Sequence, residues 1–128
     1  MTLRFPYDTN YDGPAFPVIS LSVSGRQPDA IVHLTGLLDS GADATIVPHR
    51  VLEEVHARHT DVAWARTVAG NRYRVDLYVV TLTIGTVRLP SIKVISNTQT
   101  AETIIGRDVL NQMLVTLDGP ALEVVLED

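Results

Sequence analysis

Residues 36–45 place a single carboxylate at the end of an apolar segment, in a setting that suits acid–base chemistry. Two leucines precede Asp39, and Ser40 and Gly41 follow it. The Ser40 hydroxyl can donate and accept hydrogen bonds, and Gly41 lacks the Cβ that would keep a substrate backbone at a distance. Asp, Ser and Gly are also favoured in tight turns for purely local reasons. Taken alone, the three residues fit a plain turn as well as a positioned catalytic carboxylate.

A second apolar-to-glycine motif occupies residues 104–110, with the sequence Ile-Ile-Gly-Arg-Asp-Val-Leu. With residues 37–43, it resembles the retropepsin-like aspartic proteases, the single-lobe relatives of pepsin. Their pattern is a hydrophobic pair before Asp-Ser/Thr-Gly-Ala, then paired aliphatic residues before Gly-Arg-Asp/Asn and a short helix. Both segments match without gaps, and the resemblance covers the chain from about residue 17 onward. Two motifs in the correct order are far more specific than either one.

The resemblance implies an all-β, retropepsin-like acid-protease barrel with one or two short helices, and an aspartic endopeptidase without a cofactor or metal. Such an enzyme needs two carboxylates that share one proton, one to activate water and one to polarise the scissile carbonyl. The chain has one Asp-Ser-Gly turn, because Asp12 and Asp118 precede glycine directly. A homodimer with Asp39 of both subunits beside its two-fold axis would complete the pair.

The matching family positions assign further roles. Asp39, Ser40 and Gly41 form the expected catalytic turn, in which Ser40 would link the turns of the two subunits. Asp43 and Arg107 match positions that commonly form an ion pair near the dimer contact, although either could be a solvated surface charge. The expected substrate contacts are Ala42, Asp43, Val68, Ala69, Gly70, Asn71 and Arg72. The expected structural supports are Asp43, Ile105, Gly106, Arg107 and Asp108, of which Asp108 could instead serve only as a helix N-cap.

An alternative from a different class is a non-catalytic, dimeric protein-binding or assembly module that keeps the same fold, since fold alone does not establish function. The intact Asp39 turn favours the enzyme, because a scaffold needs no carboxylate there. Zinc-protease and serine-hydrolase functions are disfavoured, because the sequence lacks His-Glu-x-x-His and Gly-x-Ser-x-Gly motifs.

Composition is that of an ordinary globular domain. The chain has 128 residues, 45% hydrophobic and 20% charged, which suits one domain with a real core. Cysteine is absent, which excludes disulfides and thiolate chemistry. The net charge of −5, without a basic run, argues against nucleic-acid binding. No signal peptide or membrane-spanning run is evident, so we expect a cytoplasmic protein that does not associate with membranes.

Local patterns predict the elements that position the site. Residues 1–16 are expected to form an irregular N-terminal arm or a strap, and residues 17–128 the protease domain. The alternating segment Val18–Ser24 predicts a strand with one wet face, and Ile31–Leu38 predicts a strand buried on both faces. The turn between them is expected over residues 25–29. Residues 48–59 are expected to form a helix, on which His49, His56 and His59 fit solvated surface residues better than metal ligands.

The second half of the chain predicts a hairpin and then further strands. Residues 64–69 and 72–79 are expected to pair around a two-residue Gly70-Asn71 loop, in the place of the family's mobile flap, or as a plain surface hairpin. The apolar alternation changes parity between Val79 and Val80, which predicts a bulge or a strand passing between two sheets. Three further strands are expected, at 87–95, 102–105 and 122–126, and a helix at 109–114. Pro90 indicates an edge or a bulge in the first of these strands.

Overall fold

The structure, a computed structural model, describes residues 1–27 and 29–128. Pro28, within the predicted turn at 25–29, lies outside the described residues. Over the described residues the chain forms ten strands and two short helices, which confirms the expected all-β class. The elements are β1 (Thr2–Pro6), β2 (Val18–Ser24), β3 (Ile31–Leu38), β4 (Ile46–Pro48), α1 (His49–Glu54), β5 (Arg58–Arg66), β6 (Arg72–Ile84), β7 (Val87–Asn97), β8 (Thr103–Ile105), α2 (Arg107–Leu110), β9 (Leu114–Asp118) and β10 (Glu123–Glu127).

Six strands close into a barrel around the main core. The large sheet has the order β2-β3-β8-β4-β7-β6-β5, and an additional pairing joins β2 to β6. That pairing sets Ser22 opposite Thr83 and returns the sheet to its first strand, so that only β5 remains outside the ring. Closure removes free sheet edges and surrounds a core of aliphatic side chains. Its fully buried members include Ile19, Val23, Leu52, Leu82, Ile84, Val94 and Ile105.

The first hairpin leads directly to the candidate site. Strand β2 has the predicted bounds and pairs with β3 in antiparallel register, with Val18 opposite Leu37. The prediction that β3 is buried on both faces is wrong for its first half, in which alternate residues are exposed. Only the last three residues, 36–38, are fully buried, because the parallel strand β8 covers β3 there and nowhere earlier. The carboxylate that follows is therefore anchored by the buried end of its strand.

The predicted irregularity within β6 is present. Its pairing with β7 shifts register between Val80 and Leu82, where β6 also changes its other partner from β5 to β2. The bulge on β7 contains Pro90 and Ser91, and Ser91 has a φ of 57°. Pro90 cannot donate to a ladder, and a bulge leaves its position unpaired. The strand thus leaves the hairpin with β5 and enters the barrel at the bulge.

Helix α1 is shorter than predicted and ends at Glu54 instead of continuing to residue 59. His56 adopts a φ of 52°, and the Ala57 amide donates to the Leu52 carbonyl at 2.9 Å. This is the hydrogen bond of a left-handed helix C-terminus, a conformation usually taken by glycine. Since the sequence has histidine there, the helix end carries no local signal.

The terminal segments form a separate three-stranded sheet with the order β1-β10-β9. Thr2 pairs with Glu127 and Glu123 pairs with Asp118. The expectation of an irregular arm is therefore wrong for Thr2–Pro6, and the prediction of a helix at 109–114 is wrong beyond Leu110, since β9 begins at Leu114. The first error concerns a segment whose partner, β10, lies at the other end of the sequence.

Candidate active site

Asp39 follows the buried end of β3 and lies at the protein surface. The neighbouring strand β8 runs parallel to β3, with Leu38 opposite Ile105, as expected for a segment returning to the core beside Asp39. The Asp39 amide extends this ladder by donating to the Ile105 carbonyl at 3.0 Å. Gly36 permits the two strands to pack, because a Cβ there would lie 2.6 Å from the Ile105 side chain. The backbone of Asp39 is therefore fixed while its carboxylate remains exposed.

The three catalytic candidates form one tight turn. The Gly41 amide donates to Asp39 Oδ1 at 2.9 Å, and the Ala42 amide donates to the Asp39 carbonyl at 3.1 Å. Asp39, Ser40 and Gly41 are all exposed. One carboxylate oxygen is thus held by a backbone donor, while the other oxygen and the Ser40 hydroxyl have no hydrogen-bond partner among the described residues of this chain. The turn presents an oriented carboxylate to the outside of the subunit.

Asp108 supports this loop from behind and is not the predicted N-cap of α2, a position that Gly106 takes. Its Oδ2 accepts from the Thr45 amide at 3.1 Å, and its Oδ1 accepts from the Thr45 hydroxyl at 2.8 Å. The same hydroxyl accepts from the Gly106 amide at 3.1 Å. Thr45 is completely buried, so these bonds lock the end of the active-site loop onto the second motif. Asp108 therefore joins the two motifs through Thr45, and Gly106 takes the capping position.

Arg107 reaches the same loop, but without the expected ion pair. Its Nη1 donates to the Ser40 carbonyl at 2.7 Å, and its backbone amide donates to the Ala42 carbonyl at 2.9 Å. Within the described part of this single chain, Asp43 forms no ion pair with Arg107. The expected pair lies near the dimer contact and stays a prediction; within one subunit the guanidinium binds a backbone carbonyl of the turn. Arg107 thus holds the turn that carries Asp39.

The hairpin of β5 and β6 projects from the barrel, but its loop differs from the predicted two-residue turn. Thr67 and Asn71 form the last backbone pair, with the Thr67 amide donating to the Asn71 carbonyl at 2.8 Å. Three residues lie between them, and Gly70 has a φ of 89°. This is the three-residue hairpin loop in which the left-handed position favours glycine. The predicted contacts at 68–72 all lie at this exposed tip.

A cleft of about 610 Å³ lies between the Asp39 turn and this hairpin. Of the predicted site residues, Gly41, Ala42, Asp43 and Arg107 border it, whereas the others, among them Asp39, Ser40 and the tip residues 68–72, do not. Sequence reasoning missed the rest of its lining, although the alternation of Tyr73, Val75 and Leu77 indicated one shared face of β6. The other lining residues are Ala44, Ile46, Ala63, Trp64, Ala65, Arg66, Tyr73, Val75, Leu77, Lys93 and Ile95.

Two of the three histidines considered as ligands have carboxylate partners. His49 Nε2 lies 3.0 Å from Glu53, and His59 Nε2 lies 3.1 Å from Asp76. Among the described residues, no group of three or more His, Cys, Asp or Glu side chains could hold a metal ion. None of the helices in the described ranges is long and apolar enough to cross a membrane.

Comparisons with known proteins agree with this geometry. Residues 15–118 match the profile of the retroviral aspartyl protease family. The EIAV protease, solved with the inhibitor HBY-793, superposes with a TM-score of 0.62 at 18% identity, covering 84% of this chain and 93% of that one. A retropepsin-like aspartic protease from Rickettsia conorii superposes with a TM-score of 0.64 at 16% identity, covering 98% of this chain and 91% of that one. No curated protein matches the chain significantly. The family match spans most of the chain and both motifs, and the chain therefore belongs to the retroviral aspartyl protease family.

Proposed function

We propose that the protein is an aspartic endopeptidase, active as a homodimer, that hydrolyses peptide bonds with a water molecule activated between the Asp39 carboxylates of its two subunits. The observation that carries the proposal is an exposed carboxylate, held by the Gly41 amide at 2.9 Å, beside a cleft large enough for an extended peptide. A surface turn with no catalytic role gains nothing from a cleft and a projecting hairpin built around it.

The dimer follows from the number of carboxylates. In the proposed mechanism one Asp39 is ionised and takes a proton from water, while its protonated mate donates a hydrogen bond to the scissile carbonyl. A two-fold axis beside the turn supplies the second Asp39 and sets the free Ser40 hydroxyls near one another.

Apolar surface is available for such a dimer. Strand β9 is an edge of the small sheet, and its Leu114 and Leu117 are 60% and 56% exposed. A second copy that paired with this edge would cover part of both side chains, which lie on opposite faces of the strand. We further propose that the substrate is a peptide or protein, and that the protein binds neither nucleic acid nor membranes. The proposed location is the cytoplasm, and the absence of cysteine is compatible with it.

The competing function is a dimeric binding module without catalysis. Asp39→Asn separates the two, because asparagine keeps the shape of the side chain but cannot act as a general base. Cleavage of a mixed peptide library from acid to neutral pH should occur with the wild type and be lost in Asp39→Asn, with both proteins folded and dimeric.

Two results would contradict the enzyme. Neither protein cutting any peptide would favour the binding module, and equal cutting by both would place the activity elsewhere. The dimer has its own test, since the specific activity should fall on dilution below the dissociation constant. A monomer with undiminished specific activity would contradict the shared site.

A further inference from the structure

We infer that Lys93 selects substrates with an acidic side chain, so that the cleft prefers peptides carrying glutamate at one position. The inference rests on the proposed function and adds the substrate class. Lys93 is the only lysine of the chain; the other nine of its ten cationic side chains are arginines. It borders the same cleft as the catalytic turn.

Strand register places the Lys93 side chain on the cleft face. Lys93 pairs with Val79, and Ile95 pairs with Leu77, in antiparallel register between β7 and β6. Directly paired residues share one face of a sheet, and so do residues two apart on a strand. Leu77 and Ile95 line the cleft, so Lys93 extends the same row at the rim.

The ammonium of Lys93 is free to bind a ligand. It forms no ion pair with the described residues, although the protein carries an excess of acidic groups. Asp43 borders the same cleft without pairing with Lys93, and Asp61, which lies across Leu77 in the register of this face, accepts a hydrogen bond from the Val62 amide. An unpaired cation on an exposed position of a cleft wall is available to an incoming carboxylate.

The charges of the cleft differ in sign from those of the whole chain. The net charge of the protein is −5, which repels acidic peptides in general. The lining contains one carboxylate, Asp43, against the cations Arg66, Lys93 and Arg107. Arg107 already donates to the Ser40 carbonyl. Arg66 pairs with Arg72 in the register of β5 with β6. Its position is therefore on the face of the hairpin opposite to that of Ala65 and Tyr73. Lys93 is thus the cation best placed to recognise a substrate group.

The surroundings of Lys93 favour glutamate. Val75, Leu77 and Ile95 form an apolar surface next to it, against which the methylene groups of a glutamate side chain can pack. The carboxylate at the end of that side chain would then meet the flexible ammonium group of Lys93. An exposed ion pair of this kind corresponds to a preference of about fivefold for glutamate over neutral, isosteric glutamine.

The test uses acetylated and amidated peptides in which each position in turn carries Glu or Gln in an otherwise identical neutral sequence. The ratio of kcat/KM for Glu over Gln is measured at about pH 6, where glutamate is ionised. The variants are Lys93→Met, which removes the charge, Lys93→Arg, which keeps it, and Arg88→Met, a matched control that removes an exposed cation of the same strand outside the cleft.

We expect the wild type to prefer Glu at one position by about fivefold, and expect this preference to disappear in Lys93→Met and in high salt. Lys93→Arg and Arg88→Met should keep it. A wild type that cuts peptides without this preference, or a Lys93→Met variant that retains it, would overturn the inference while leaving the proposed function standing.

A second arm decides the matter without catalysis. Binding of the same Glu and Gln peptides is measured by isothermal titration calorimetry in the Asp39→Asn background, with and without Lys93→Met. Tighter binding of the Glu peptide that depends on Lys93 would support the inference even if the wild type cuts nothing. Equal binding of Glu and Gln peptides would overturn it.

Discussion

Thr45→Val tests whether the two sequence motifs are joined through one buried hydroxyl. The Thr45 hydroxyl donates to Asp108 at 2.8 Å and accepts from the Gly106 amide at 3.1 Å. Valine has nearly the same shape but neither donates nor accepts. The substitution therefore removes both hydrogen bonds and leaves the packing of this fully buried position almost unchanged.

The cost follows from what remains unpaired. The Gly106 amide, in a buried residue, loses its acceptor, which costs about 1–3 kcal/mol. Asp108 keeps the amides of Thr45 and Val109 and is only partly buried, so its share is about 1 kcal/mol. We expect a loss of about 3 kcal/mol in the free energy of unfolding, which for a domain of this size lowers Tm by about 12 °C.

Urea unfolding followed by far-ultraviolet circular dichroism, at one fixed protein concentration, measures this change. The fluorescence of Trp64 is less suitable, because its side chain is exposed on the hairpin. Thr45→Ser keeps the hydroxyl and should lose only about 1 kcal/mol for the missing methyl group. Thr35→Val, at an exposed position of β3, should change stability by no more than about 0.5 kcal/mol. Equal destabilisation by Thr45→Val and Thr45→Ser would refute the role given to the hydroxyl.

Two further perturbations test the surroundings of the site. Gly106→Ala should destabilise the protein by more than about 2 kcal/mol in the same unfolding assay, because a Cβ would lie 2.7 Å from the backbone of Ala44. The control Gly119→Ala has open space around it and should be nearly neutral. Similar losses of stability in both variants would contradict the close approach at Gly106. Glu102 raises the pKa of Tyr11 above its ordinary value of 10.0, mainly through its charge, so the bond between them should persist below pH 10 and break as the pH rises through the elevated pKa. Spectrophotometric titration should give a lower Tyr11 pKa in Glu102→Gln, and an unchanged pKa would contradict this contact.

Local chemistry made much of the hairpin of β2 and β3, which leads to Asp39, predictable. The bounds of β2 and the change of parity within β6 follow from the alternation of apolar residues, which depends only on neighbouring positions. The placement of Asp39 at the end of a strand follows from the turn residues that come after it in the sequence. These features needed no knowledge of distant partners.

Other local predictions failed where a rare conformation replaced the usual signal. Helix α1 ends with His56 in a left-handed conformation that glycine normally marks, so the sequence gave no reason to stop there. In the hairpin loop, the sequence predicted that Gly70 lies in the turn. It did not predict the length of the loop, which depends on the pairing of Thr67 with Asn71.

The amino-acid sequence by itself determined which residues could carry the chemistry, since two ordered motifs identify Asp39 and its supporting segment without any coordinates. Only the tertiary structure decided how those motifs meet. Asp108 binds Thr45, which lies 63 positions earlier in the chain, and Arg107 binds the Ser40 carbonyl. Likewise, β1 is a strand because β10 lies beside it, and Lys93 faces the cleft because β7 pairs with β6. The reason is physical: a side chain's neighbours across a barrel are set by strand register and closure, which no local pattern contains.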